Sequence, residues 1–171
     1  MLSFNIRSLI EHAVMVDDEL PLDDPVWQDD DIRPSAPLRV VGRLSPAGPG
    51  RYYWHGSIDG EVSLECSRCL GPAQGHVHDE THLIFADSGA EGVEEDPDVF
   101  QLSDDADELD LRPAVREQWL LNVPAYALCR DDCQGICATC GAELNLGPCN
   151  CRTSSTDPRW SALKKLQESQ G

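Results

Sequence analysis

The stretch Cys129–Cys151, CRDDCQGICATCGAELNLGPCNC, holds six of the chain's eight cysteines: Cys129, Cys133, Cys137, Cys140, Cys149 and Cys151. The other two, Cys66 and Cys69, form a separate C-x-x-C pair. Thiols this dense, broken by Gly135, Gly141 and Gly147, suit closed tetrahedral metal sites. The chain must reverse sharply to aim several sulfurs at one ion, and glycine admits the φ > 0 turns that this requires. Eight thiolates divide into two four-cysteine zinc sites. Cys137, Cys140, Cys149 and Cys151 make one pair of pairs across a glycine-bearing turn. Cys129 and Cys133 then join Cys66 and Cys69 in a second site that links the first half of the chain to the cysteine module. Swapped assignments stay open, because spacing does not fix connectivity among eight ligands. A closed four-thiolate site leaves no position for water or substrate, so the expected role of the two Zn2+ ions is structural. Residues 125–156 contain few large apolar side chains, and this module is expected to need its metal to fold.

Two other uses of cysteine compete with zinc. Disulfides belong to oxidising compartments, but the opening residues MLSFNIRSLIEHAVMVDDE lack a leading basic cluster, and Arg7 and Glu11 interrupt the apolar positions. No apolar run is long enough to span a bilayer, so the expectation is a cytoplasmic protein with reduced thiols and no membrane partner. A chain of 171 residues also builds a core without staples. The second competitor is redox chemistry, since Cys66-Ser-Arg-Cys69 has the spacing of a thioredoxin-like pair. That use calls for a pair opening a helix in a βαβ unit, whereas here Gly71-Pro72 follows and strand-like segments flank the motif. A redox-switched zinc chaperone is the alternative function that this leaves.

Charge is unevenly placed. The chain carries 13 Lys+Arg against 31 Asp+Glu, a formal net charge of −18. No Lys or Arg lies between Arg7 and Arg33 or between Arg68 and Arg112. Over residues 129–166 the signs nearly balance: Arg130, Arg152, Arg159, Lys164 and Lys165 stand against Asp131, Asp132, Glu143 and Asp157. Such a chain repels phosphate backbones over most of its surface and favours basic partners. Any nucleic-acid contact is expected at 129–166.

The pattern predicts an α+β fold: a small antiparallel β-sheet, an amphipathic helix and a C-terminal cysteine-rich zinc-binding module. Residues 3–10 read as an opening strand, and the acidic, proline-bearing stretch 17–37 as a loop. LRVVGRL (38–44), RYYWHGSI (51–58) and EVSLEC (61–66) read as strands, with Asp59-Gly60 as a hairpin turn between the last two. Over 75–85, Val77, Leu83 and Phe85 alternate with His76, His78, Glu80 and His82, which predicts an antiparallel strand with one wet face. Residues 87–108 read as an acidic linker with a docking segment around Val99, Phe100 and Leu102. In DLRPAVREQWLLNVP, Asp110 caps a helix, Pro113 sits in its first turn, Leu111, Val115 and Trp119 form its apolar stripe, and Pro124 ends it. DPRWSALKKLQES, from Asp157, predicts a final helix. The division is then 1–86 as a β-rich domain with the C-x-x-C knuckle, 87–108 as linker, and 109–171 as helix, zinc module and C-terminal helix.

Catalytic patterns are absent from the sequence. His78-Asp-Glu80 has the H-x-E form of zinc deaminases, but Cys149-Asn-Cys151 lacks the C-x-x-C spacing that the motif needs. No phosphate-cradling glycine loop and no nucleophile–His–acid arrangement is evident, so neither an enzyme nor a small-molecule substrate is expected. His76 and His78 read as solvated strand residues, and Trp160 as a core anchor of the last helix.

Four motifs occur in one order: ECSRCL (65–70), ELDLRPAVREQWLLNVP (108–124), LCRDDCQGICATCGAELNLGPCNC (128–151) and DPRWSALKKL (157–166). In these the chain resembles the YceD-like family of large-subunit ribosomal RNA accumulation proteins, over most of residues 62–166. The resemblance implies a non-enzymatic factor in ribosome assembly, acting through a ribosomal protein or large-subunit precursor rRNA.

Overall fold

The computed structural model describes residues 1–90, 99–103 and 106–151. In chain order these form β1 (Ser3–Asn5), α1 (Ile6–Glu11), β2 (Val14–Leu20), β3 (Leu38–Pro46), β4 (Arg51–Glu65), β5 (Pro72–Asp87), β6 (Val99–Leu102), β7 (Glu108–Asp110) and α2 (Arg112–Asn122), followed by a 3₁₀ turn at Leu144–Leu146. The class is α+β. A small antiparallel sheet pairs β1 with β7, and a larger sheet has the order β2-β3-β4-β5-β6. The larger sheet is antiparallel from β2 to β5, and β6 adds to β5 in parallel.

The long hairpin β4–β5 is the spine. Along β4, Tyr52, Trp54, Ile58 and Val62 turn into the core while His55 and Glu61 stay exposed, the period-two pattern of a half-buried strand. The expected turn at Asp59-Gly60 does not exist. Asp59 pairs with His78 and Gly60 with Val77 inside the ladder, and the reversal comes at residues 66–71. Packing explains this glycine: a β-carbon at Gly60 would lie 2.8 Å from Leu38 Cδ1 and 3.1 Å from Trp119 Cζ3. It marks a close approach of the helix to the sheet.

Other boundaries also shift. Only residues 3–5 of the expected opening strand are extended. Ile6–Glu11 are helical because Asn5 Oδ1 accepts the N–H groups of Arg7 and Ser8, capping the turn. The first residues of the expected acidic loop belong to β2, whose Val16 and Leu20 are buried while Asp17 stays exposed. Within the expected linker, Val99–Leu102 dock as β6, with Phe100 stacked on Phe85 at 5.3 Å, and its last residue, Glu108, opens β7, which pairs with β1. Residues 91–98, 104–105 and the whole expected C-terminal helix, with Trp160, lie outside the described residues.

One apolar cluster joins Leu2 and Leu9 to Val40, Trp54 and Val77 of the large sheet and to Leu111, Val115 and Trp119 at α2. The divisions expected at 86 and 109 therefore do not coincide with a break in the core. In α2, Pro113 occupies the first turn, and Asp110 Oδ1 accepts the Arg112 N–H at 3.0 Å.

An ion pair fixes the 21–37 loop to α2. Arg116 grips Asp31 in a fork, Nε to Oδ2 and Nη2 to Oδ1, both at 2.6 Å. The Arg116 hydrogen bond, reinforced by the Gln28 N–H and opposed by burial, holds the Asp31 carboxyl below the usual carboxylate range. A depressed carboxylate contributes stability that is present above its unfolded pKa of about 3.9 and is lost as pH falls through the lower folded value. The melting temperature is therefore expected to fall more steeply below pH ~4 in the wild type than in Arg116→Met. Parallel slopes in the two proteins would refute the assignment.

Candidate metal centres

The β4–β5 reversal is a knuckle. After Cys66 the chain turns through Ser67, Arg68 and Cys69, and Leu70 takes φ 60°, the one positive φ outside glycine among the described residues. The Leu70 N–H donates to Cys66 O at 2.9 Å, and the Cys66 N–H to Gly71 O at 2.8 Å. The same turn recurs at the second C-x-x-C. Gly141 has φ 72°, its N–H donates to Cys137 O at 2.8 Å, and the Cys137 N–H donates to Ala142 O at 2.8 Å. Two turns with one hydrogen-bond pattern thus present their paired sulfurs alike.

The sulfurs gather in two groups, Cys66, Cys69, Cys129 and Cys133, and Cys137, Cys140, Cys149 and Cys151, each with its ligand atoms within 4.8 Å of one another. This is the division suggested by spacing, and no sulfur is in a disulfide. In the first group Cys66 Sγ lies 3.8 Å from Cys133 Sγ, and Cys69 Sγ lies 3.7 Å from Cys129 Sγ. Zinc–thiolate bonds of about 2.3 Å set neighbouring sulfurs of a tetrahedron roughly 3.8 Å apart. The donor set and its spacing fit a four-thiolate ion.

Within each group the sulfurs shift one another's titration in opposite directions. Backbone N–H groups of Cys129 and then Cys69 bring the Cys66 thiol down to about 6, while the Cys133 sulfur and burial push Cys129 up to about 12. The second group repeats this. The N–H groups of Cys140 and Thr139 lower Cys137 to about 6, and the Cys140 sulfur and burial raise Cys151 to about 12. A bound divalent cation reverses that conflict and holds every coordinating thiol deprotonated.

Two further residues brace the first group. Arg68 Nη1 donates to Cys133 O at 3.0 Å, and the N–H of Ile136 donates to Arg68 O, tying the hairpin tip to the C-terminal segment. Gly135 allows the approach: at φ 73°, a β-carbon there would meet Arg68 O at 2.9 Å. Asn145, in the 3₁₀ turn, donates from Nδ2 to Cys133 Sγ at 3.4 Å and lowers that thiol. Its Oδ1 accepts from Arg130 Nη2 and from the Gln134 N–H, both at 2.8 Å. Arg68 lies inside a visible motif, but no sequence signal marks Asn145, whose partner is twelve residues away.

The histidines stand apart. His76 Nε2 and His78 Nδ1 both face Asp59 Oδ2, at 3.3 and 3.0 Å, on the exposed side of the sheet. His55 stacks on His82 with ring centroids 4.4 Å apart. Among the described residues neither pair belongs to a set of three or more metal-binding groups whose ligand atoms all lie within 4.8 Å of one another.

Residues 54–167 match the family model described as large ribosomal RNA subunit accumulation protein YceD. An uncharacterized Mycobacterium tuberculosis protein is 32% identical over 113 residues, 65% of this chain and 53% of the relative. Bacillus subtilis YlbN is 26% identical over 164 residues, 95% of this chain and 93% of the relative. A chloroplastic protein of Zea mays, named large ribosomal RNA subunit accumulation protein YCED homolog 1, is 28% identical across 60% of this chain and 45% of its own. The chain spans about half the length of the mycobacterial relatives it matches. No solved structure matches.

Proposed function

This chain belongs to the family of the large ribosomal RNA subunit accumulation protein YceD, and from that premise we propose that it is a non-enzymatic, zinc-braced scaffold in large-subunit assembly. The observation that carries this reading is the pair of all-cysteine clusters, one of them clamping the β4–β5 hairpin tip to residues 129–133. Cys66, Cys69, Cys129 and Cys133 would hold one Zn2+, and Cys137, Cys140, Cys149 and Cys151 the other. Bound there, zinc supplies cross-linking and charge neutralisation; with four protein thiolates it has no open position for a reacting water. The net charge of −18 argues for a basic ribosomal protein as the principal contact, since sequence-independent affinity for RNA requires a cationic footprint.

The test is affinity isolation of the tagged full chain from growing cells, followed by sedimentation. Co-sedimentation with large-subunit precursors is expected, with loss of that association in Cys66→Ser/Cys69→Ser. Co-purification with unfolded clients and no ribosomal precursor would replace this reading by that of a redox-switched chaperone. Tight binding of the pure chain to bare rRNA with a steep salt slope, and none to basic ribosomal proteins, would overturn the protein-mediated mode.

A further inference from the structure

Four of the chain's five histidines lie on one face of the β4–β5 hairpin. Alternation sends Trp54, Ile58, Val77 and Leu83 into the core, so His55, Asp59, Glu61, His76, His78 and His82 share the opposite, wet face. The antiparallel register arranges four of these as a block, with Asp59 directly opposite His78 and Glu61 directly opposite His76. Side chains of direct and diagonal neighbours on one face come close enough to meet. Here they do. Asp59 Oδ2 lies 3.0 Å from His78 Nδ1 and, on the diagonal, 3.3 Å from His76 Nε2. Among the described residues, neither Asp59 nor Glu61 forms an ion pair with a Lys or Arg.

We propose that His76, His78 and Asp59, with Glu61 beside them, form a binding site for a divalent transition-metal ion such as Zn2+, separate from the cysteine groups. Imidazole nitrogens select that class, whereas Mg2+ and Ca2+ take oxygen ligands. Asp59 is the hub. Bonds of about 2.0–2.2 Å from a tetrahedral ion to nitrogen and oxygen set the ligand atoms roughly 3.3 Å apart. Both imidazoles already stand at about that distance from Asp59 Oδ2. The three groups are not yet within 4.8 Å of one another as a set, so binding turns the two half-exposed rings toward each other. That is a side-chain rotation, fast at exposed positions, and it leaves the β4–β5 ladder in place. Two imidazoles and one or two carboxylates leave room for water, so this ion exchanges readily, unlike one enclosed by four thiolates. His55 and His82 differ: their rings stack on each other, and His82 Nδ1 is engaged by the Tyr53 hydroxyl. They serve as internal controls. The inference does not depend on the proposed function.

The test first adds Zn2+ to the full chain until the cysteines take up no more, under a non-chelating reductant. Further Zn2+ is then titrated in while the imidazole resonances are followed by NMR. One additional ion is expected, bound reversibly, moving the ring signals of His76 and His78 and leaving those of His55 and His82 in place. His76→Gln, His78→Gln and Asp59→Asn should each weaken that ion about ten-fold or more, since even the outer-shell partners of a ligand are worth about 10–100-fold. The melting temperature should hold in all three, because these side chains lie outside the core. Excess Mg2+ should not compete. Four results would each overturn the inference: no additional uptake, uptake that survives His76→Gln/His78→Gln, equal movement of the His55 and His82 signals, or displacement by Mg2+, which would mark a plain carboxylate site. The imidazole signals report on this site whether or not the cysteines hold zinc, so either reading can fail while the other stands.

Discussion

Replacing Trp119 with alanine is expected to destabilise the chain by about 3–5 kcal/mol in urea unfolding, without a change in the slope of the transition. The ring is completely buried, in the same cluster as Val40, Trp54 and Val77. It lies against Gly60 and holds α2 to the sheet. Its Nε1–H donates to the Ile32 carbonyl at 2.7 Å, so truncation also removes that carbonyl's indole donor and loosens the 21–37 loop. Trp119→Phe separates the two contributions: it keeps most of the apolar contact and is expected to cost only about 1–3 kcal/mol, from the missing donor and the smaller ring. A cost below ~1 kcal/mol for Trp119→Ala would mean that α2 is not part of the cooperative core.

What was legible in the sequence follows from the range over which each signal acts. The apolar stripe of Val115 and Trp119 in α2, with Leu111 at its N-cap, was readable because helical periodicity and proline punctuation are local. The two cysteine groups were readable because C-x-x-C pairs bring their own turns, now visible at Leu70 and Gly141 with the same hydrogen bonds. Gly60 misled because a glycine after aspartate has the same letters whether it forms a turn or lies beneath an indole from a helix 59 residues further on. The acids of β2 misled similarly: Asp17, Asp18 and Glu19 obscure a strand that is held by Val16, Leu20 and its neighbour β3. The parallel attachment of β6 and the bracing of Cys133 by Asn145 depend on contacts between distant segments, which neither composition nor spacing records.

On the proposed reading that both cysteine groups hold zinc, metal removal is the second large effect, and it is expected in two steps. With a chelator in excess, the ion at Cys137, Cys140, Cys149 and Cys151 should leave first, by about ten-fold or more in rate, because none of those four residues is buried. The other group contains Cys66 at 0% exposure and Cys133 at 2%, and it is locked by the Ser67 N–H to Ala127 O and by Arg68 to Cys133 O. After the first step, amide exchange should rise over residues 135–151; after the second, over 66–71 and 126–134 as well. The main core should not follow. Cys66, Ala73, Ala127 and Cys133 form a small apolar cluster of their own, separate from the one that contains Trp54 and Trp119. Indole fluorescence from that core is therefore expected to hold while the module unravels. Asn145→Ala should draw the two steps together by speeding the slower one, since its amide donates to Cys133 from the 3₁₀ turn of the other half of the module. A single release phase, or loss of the tryptophan signal along with the first ion, would show that the sheet and the cysteine module stand or fall as one unit.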